Sequence, residues 1–435
     1  MSGQSGERKV EKKIGVCIYN YGLGNSPSLI NMGGELVRAG YLVDYFTYKS
    51  VPGYDGGENE GIRVYCLDGV KPAEIAGGSG GVSLTGLIRR RAVTFILAYK
   101  GLRVISKIFE YVVRKILLAD VAVAVDVAQK ILENNTYFCF IGIEPAGLAM
   151  ASALADTQGV PYVYYNMELG MLDDDRKTVD LKILEDIEKK LNRGAAFTII
   201  QDMDRARILY ERSGIAKESI YIVPVSAIGA PHVERSDWLR VKLNIPQGNK
   251  IILYAGYIAD WALCEEIIRA ARQWPSDWTL VLHSNGGIDK EYMAKIEKNI
   301  GENIKISQTP VQYKDLAALL SSADIGIALY RNLSSNFMLI GSASGKLAHY
   351  LKSGLPVITN NYPSIRTVIE KYGCGECIES PEQMKEAIEK ILAEYDSRRE
   401  RAFSCYEARY EFSAHFEKVV AGFGRLEKGY DGFVK

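Results

Sequence analysis

Ser342, Ser344, Gly345 and Lys346 open a helix-forming stretch, Ser342-Ala-Ser-Gly-Lys-Leu-Ala-His-Tyr-Leu-Lys-Ser-Gly-Leu-Pro-Val-Ile358. Small residues there let the free N–H groups of a first helical turn approach an anion, and the helix dipole favours its charge. Lys346 adds a full positive charge. The chemistry suggested is the holding of a phosphate or diphosphate, including one that gains charge as a leaving group. The same residues also fit an ordinary Ser-capped helix. Two carboxylates, Glu144 and Glu168, each follow a buried-looking strand. A carboxylate so placed could orient a hydroxyl group or take its proton, or it could merely pair at a helix start.

Further residues admit two readings each. Gly22, Gly24 and Asn25 sit in Tyr21-Gly-Leu-Gly-Asn-Ser-Pro27, after the first strand. Pro27 stands where a dinucleotide fingerprint needs its third glycine, so a dinucleotide site fits poorly and a tight strand-to-helix turn fits well. His283 ends a strand before Ser-Asn-Gly-Gly and is expected to line a cleft, whereas His232 and His415 lie in a linker and a helical tail. Asp173-Asp-Asp175 has a metal-binding spacing but precedes a helix, where carboxylates complement the dipole. Cys374-Gly-Glu-Cys377 has redox or half-zinc spacing without a second pair, and reads as a surface turn after a helix. Neither is given a function, and no metal or cofactor is expected. Trp261, at a helix start, is expected in the core, with stacking on a sugar as the alternative.

The segment Gly86–Leu118 holds Arg89, Arg90, Arg91, Lys100, Arg103, Lys107, Arg114 and Lys115 against Glu110 alone, a net charge of +7. At about 100° per residue, Arg89, Lys100, Arg103, Lys107 and Arg114 share an arc of about 60°, opposite Leu102, Ile105, Phe109, Val112 and Ile116. Such a helix can lie on an anionic membrane, each basic side chain contributing on the order of 1 kcal/mol. It can equally be a solvated outer helix that packs its apolar stripe on a sheet.

These residues need a frame. Short apolar runs alternate with helical ones, giving βαβ units and parallel sheets. Expected strands include Ile14–Asn20, Tyr41–Thr47, Ile62–Leu67, Tyr137–Glu144, Val160–Met167, Ala196–Gln201 and Ser219–Val225. Ser226-Ala-Ile-Gly-Ala-Pro231 breaks the rhythm, so a boundary is placed there, between domains 1–230 and 231–435. The alternation restarts with Lys250–Ala255, Thr279–His283, Ile304–Ile306, Ile325–Tyr330 and Pro356–Thr359, and helices are expected from there to the end. Ligands bind beyond the carboxyl ends of such strands. Two domains of this kind joined by a hinge predict a cleft that takes a phosphate-bearing ligand.

Composition narrows the classes. The 435 residues suit two or three domains of about 150–200 residues, and 53 basic residues cancel 53 acidic ones. A uniformly basic nucleic-acid binder is thereby excluded, although outside Gly86–Leu118 the balance is −7. Seven irregularly spaced Cys imply a reducing compartment. A polar start and the lack of 18 consecutive apolar residues imply a cytoplasmic protein, soluble or peripheral on the membrane face.

Tyr254-Ala-Gly-Tyr-Ile258, Trp278-Thr-Leu-Val-Leu-His-Ser-Asn-Gly-Gly287, Ala323-Asp-Ile-Gly-Ile-Ala-Leu-Tyr330 and the stretch from Ser342 stand in an order that resembles the donor domain of GT-B glycosyltransferases. The likeness is to the retaining family 4 enzymes and covers about 240–420; Asn31-Met-Gly-Gly-Glu-Leu-Val-Arg-Ala-Gly40 resembles their first half more loosely. The resemblance implies an α/β fold of two doubly wound Rossmann-like domains facing a central cleft. It implies metal-independent transfer of a sugar from a UDP- or GDP-sugar to an acceptor hydroxyl on a glycan or lipid-linked molecule. Donor contacts would come from Gly256, His283, Tyr330, Ser342, Ser344, Gly345, Lys346 and His349. Catalytic roles would fall to Glu144, Glu168 and Lys346, and Gly22, Gly24 and Asn25 would face the acceptor and the donor phosphate. The family carries two Glu, with seven residues between them, where this chain has Gly341 and His349; the first contacts the donor sugar and the second the ribose. It also carries an Arg/Lys pair where Tyr257-Ile-Ala-Asp-Trp261 stands. Those departures leave open a non-catalytic sugar-nucleotide-binding or scaffold protein, or a nucleotide-sugar epimerase.

Overall fold

The computed structural model describes residues 12–19, 23, 26–48, 59–67, 121–133, 135–170, 179–285 and 290–431. Gly22, Gly24 and Asn25, the basic segment with Arg89, Lys100, Arg103, Lys107 and Arg114, and Asp173–Asp175 lie outside the described residues. Two compact units are present. One comprises Met1–Ile200, Ala206–Ile222 and Lys418–Lys435, the other Gln201–Arg205 and Val223–Glu417.

The first unit holds a seven-stranded sheet in the order β3-β2-β1-β4-β5-β6-β7, with every pair parallel. The strands are β1 (Lys12–Ile18), β2 (Tyr41–Thr47), β3 (Ile62–Cys66), β4 (Cys139–Ile143), β5 (Tyr162–Tyr165), β6 (Thr198–Ile200) and β7 (Ile220–Ile222). Helices α1 (Pro27–Arg38), α2 (Glu144–Gln158) and α3 (Val179–Asn192) connect them. Ile14 of β1 pairs with Val43 on one side and Cys139 on the other, and β4 is buried along its whole length. A strand covered on both faces reads as an unbroken apolar run. Close packing of α2 depends on two glycines: a Cβ on Gly142 would stand 2.4 Å from the Leu148 main chain, and one on Gly147 2.4 Å from the Cys17 carbonyl oxygen. Lys418–Lys435 count with this unit, so the last helix does not stay wholly with the residues before it. Phe423 packs edge-on against Phe197, and Glu427 accepts a hydrogen bond from Tyr41 (2.8 Å) and pairs with Lys12 (3.0 Å).

The second unit holds a six-stranded parallel sheet in the order β10-β9-β8-β11-β12-β13. Its strands are β8 (Lys250–Ala255), β9 (Trp278–His283), β10 (Ile304–Ser307), β11 (Ile325–Ala328), β12 (Val357–Asn360) and β13 (Gly375–Ile378). Alternate β8 residues enter two cores: Ile251 and Leu253 one, Ile252 and Tyr254 the other. The strand order reverses between β8 and β11, which opens a crevice at their carboxyl ends.

The expectation of helices alone after residue 359 is corrected here. Cys374-Gly-Glu-Cys377 is no surface turn: Gly375–Ile378 form the edge strand β13, paired with β12, and Cys374 is fully buried. The strand is only four residues long and holds Gly and Glu, so no apolar periodicity marks it. Gly375 is required, since a Cβ there would lie 2.2 Å from the Val357 carbonyl oxygen. Arg398 covers this edge, donating to the Gly375 carbonyl (2.8 Å) and pairing with Glu376 (2.7 Å). Among the described residues no helix is long and apolar enough to cross a membrane.

Candidate functional site

The second unit holds the eight residues expected to contact a donor, with Gly256, His283 and Tyr330 at the carboxyl ends of β8, β9 and β11. Its focus is the start of helix α4 (Gly345–Lys352). Ser344 is the N-cap; its hydroxyl accepts from the Leu347 N–H (3.2 Å) and shares a hydrogen bond with the Tyr330 hydroxyl (2.6 Å). Ser342 is buried, and its carbonyl accepts from the Val225 N–H at 2.9 Å. Gly345 has space for little more, because a Cβ would meet Val225 at 3.2 Å. Ser344 therefore does what a capping residue does, while the remaining first-turn N–H groups carry the helix's partial positive charge.

Lys346 is unusual. Its Nζ is buried and has no hydrogen-bond partner among the described residues. It stands 3.7 Å from the ring centroid of Tyr254 and 5.2 Å from that of Tyr330. Burial pushes its amine down to about 7, and the Cys264 thiol works weakly the other way. Gly256, just past β8, leaves the ammonium its space, since a Cβ there would lie 3.2 Å from Nζ. Tyr330 lies under Trp261, with the rings 6° from parallel and their centroids 6.3 Å apart. Trp261 is thus a partly buried wall of this site that also packs on both cores.

His349 follows one turn along α4. Its Nε2 is buried without a hydrogen-bond partner among the described residues, and its ring meets Tyr313 edge-on at 5.6 Å. Burial, with the Lys352 ammonium nearby, pushes it down to about 4, so it is neutral at pH 7. His283 ends β9 as expected, but protein partners hold both ring nitrogens: Nδ1 with Ser307 (3.0 Å) and Nε2 with Asn285 (3.2 Å). Asn285 also clasps Val311, accepting from its N–H (3.0 Å) and donating to its carbonyl (2.9 Å). Position 341 is closed. A Cβ on Gly341 would stand 2.5 Å from the Ser364 carbonyl oxygen, and Tyr410 donates to the Gly341 carbonyl at 2.8 Å.

Glu144 and Glu168 come together in the first unit. Glu144 begins α2 with φ 59°, a left-handed conformation that a non-glycine residue adopts only under constraint. One carboxylate oxygen accepts from the main-chain N–H groups of Met167 (2.6 Å) and Glu168 (2.9 Å). Burial pushes this carboxyl up to about 8 against the pull of those two amides. Glu144 is thus a latch between the ends of β4 and β5, whereas the Glu168 side chain is exposed. Both line a pocket of about 100 Å³ with Glu185, Glu188 and Arg212. Arg212 pairs with Glu185 (3.2 Å) and Glu188 (3.4 Å), and Glu188 accepts from Tyr164 at 2.5 Å.

Residues 236–404 match the family model of the glycosyl transferases group 1. That stretch is similar to a group 1 glycosyltransferase domain. The match largely coincides with the stretch whose motifs resemble the donor domain. Solved structures agree on the GT-B fold. Sucrose-phosphate synthase from Thermosynechococcus elongatus is similar with a TM-score of 0.64 at 15% identity, covering 97% of this chain and 100% of its own. Anabaena HepE in complex with UDP and glucose gives 0.64 at 13%, covering 95% and 100%. The trehalose 6-phosphate synthase of Burkholderia multivorans gives 0.59 at 12%, covering 97% and 99%. No curated protein sequence is a match. Among the described residues no group of His, Cys, Asp and Glu is placed to hold a metal ion.

Sequence reasoning missed Tyr254 and Asn285. Tyr254 sits in the apolar run of β8 and reads as core. Asn285 reads as part of a polar loop, and nothing local announces its grip on Val311.

Proposed function

We propose that this glycosyltransferase moves a sugar from a nucleotide-sugar donor to an acceptor hydroxyl, holding the donor diphosphate at the start of α4. The observation that carries the reading is the Lys346 amine, buried beside a helix N-terminus with no hydrogen-bond partner among the described residues. A leaving diphosphate would meet that charge together with the main-chain N–H groups of the first turn, which offsets the charge gained as the glycosidic bond breaks. This arrangement calls for no metal. A UDP-sugar is the first donor to try, because Anabaena HepE has been solved with UDP and glucose. On the acceptor side we assign proton transfer to Glu168, which is exposed, rather than to Glu144, which is occupied as a latch. The test is calorimetric titration of UDP and GDP into the full chain, followed by assay of UDP-glucose hydrolysis. Nucleotide binding that survives Lys346→Ala would overturn the phosphate role.

The closed position at Gly341 favours a second reading, in which the donor binds but no sugar is transferred. Tight nucleotide binding without turnover on any UDP- or GDP-sugar would select it. We further propose a lipid-linked acceptor and a cytoplasmic membrane face, on the strength of the basic segment Arg89–Lys115. Reversing the charges of Lys100, Arg103 and Lys107 is expected to release the protein from vesicles rich in anionic lipid; unchanged co-sedimentation would refute this.

A further inference from the structure

We propose that Tyr254, with Tyr330 beside it, is the positioning residue that keeps the Lys346 ammonium charged and aimed before any donor arrives. The inference rests on the phosphate role of Lys346 and deepens it. A buried ammonium without a hydrogen bond pays for its lost hydration, and something must offset that cost. Among the described residues no carboxylate does so. Asp260 and Glu266 are paired with Arg331, and Glu265 with Lys295. Among the described residues, the titratable groups around Lys346 include Tyr254 from β8, Cys264 from the helix Cys264–Ala271, Tyr330 beyond β11, and His349 and Tyr350 on its own helix. Burial keeps all five neutral at pH 7: the phenols and the thiol are pushed up, and His349 is pushed down.

What remains is the aromatic face. An ammonium within about 6 Å of a ring centroid is drawn to the negative face of the ring, most strongly where water is excluded. Both rings meet that distance. They are also fixed in place: the Tyr254 hydroxyl donates to the Tyr257 carbonyl (2.7 Å), and the Tyr330 hydroxyl shares its hydrogen bond with the capping Ser344. One hydroxyl therefore ties the ring to the helix start that would receive the diphosphate. If the side chain at 346 served packing alone, a thioether would fill the same space at less cost.

The test varies the ring's charge distribution and leaves its shape almost unchanged. Phe, 4-fluoro-, 3,5-difluoro- and 3,4,5-trifluorophenylalanine are placed at position 254, with Tyr254→Phe as the reference, and UDP affinity is measured by calorimetry from pH 6 to 9. Affinity is expected to fall stepwise along the series, by about tenfold in all, and its decline with rising pH to move about one unit lower. A flat series with an unmoved pH dependence would overturn the proposal. Lys346→Met is run alongside. If it leaves UDP binding intact, the phosphate role has failed, and the cradle is then read in the nucleotide-free protein. There, competitive acetylation followed by peptide mass spectrometry reports the proton affinity of Lys346 in each ring variant. A proton affinity that falls with fluorination supports the cradle; a constant one refutes it.

Discussion

Replacing Lys346 by Met separates what this residue does for folding from what it does for binding. Burial moves the amine from 10.5 to about 7, so keeping it charged costs roughly 5 kcal/mol. Ring contacts at 3.7 and 5.2 Å return about 2 kcal/mol of that. Lys346→Met, which is close in volume and apolar, is therefore expected to stabilise the second unit at pH 6 by roughly 2–3 kcal/mol. The sign of the pH effect follows from proton counting. Between about 7 and 10.5 the unfolded chain holds the Lys346 proton and the folded chain does not. The lysine's cost thus shrinks as pH rises through that window, and the advantage of Met is smaller at pH 9 than at pH 6. Binding runs the other way. A charged contact to phosphate contributes about 1.5–3 kcal/mol, so the variant should bind UDP roughly tenfold to a hundredfold more weakly at pH 6. Urea unfolding at pH 6 and 9, with calorimetry on the same samples, checks both halves. A variant that is less stable than the wild type at pH 6, or that binds UDP as tightly, would refute the reasoning.

Gly341→Glu, which places there the residue that the resemblance implies, is expected to lower stability by at least about 2 kcal/mol and to give no gain in sugar transfer, because the Ser364 carbonyl fills its place. Thermal unfolding and a UDP-glucose turnover assay read the two effects. Glu144→Gln keeps an oxygen for the Met167 and Glu168 amides without the charge. The carboxyl's folded value near 8 lies above its unfolded value of 4.5, so wild-type stability from this group falls as pH rises from 5 to 9. The Gln variant is expected to lose that slope in urea unfolding series, and an unchanged slope would show that Glu144 does not carry it.

The doubly wound pattern was legible because central strands covered on both faces leave unbroken apolar runs. Tyr41–Thr47 and Lys250–Ala255 are found with the bounds read from sequence, and α4 starts at Gly345 as expected. Legibility stops where a property belongs to the surroundings. That position 346 carries an amine is written in the chain; that none of the described residues hydrogen-bonds to it is a fact about its neighbours. Gly341 is seen in the chain to lack a side chain, but only the Ser364 carbonyl shows that none would fit. Glu144 and Glu168 were expected at strand ends, and they are there. Their unequal roles arise from a turn with positive φ that no residue pattern marks.

The covered edge at β13 bears on how molecules of this chain meet one another. A bare strand edge offers its unpaired main-chain groups to any passing strand, and sheets can then grow from one chain into the next. Here one such carbonyl, that of Gly375, is already taken by Arg398, whose charge is in turn matched by Glu376. A visiting strand would have to displace Arg398 before it could use the Gly375 carbonyl. The second sheet is thereby discouraged from extending into a neighbour, and crowded copies of the protein are kept apart at this edge.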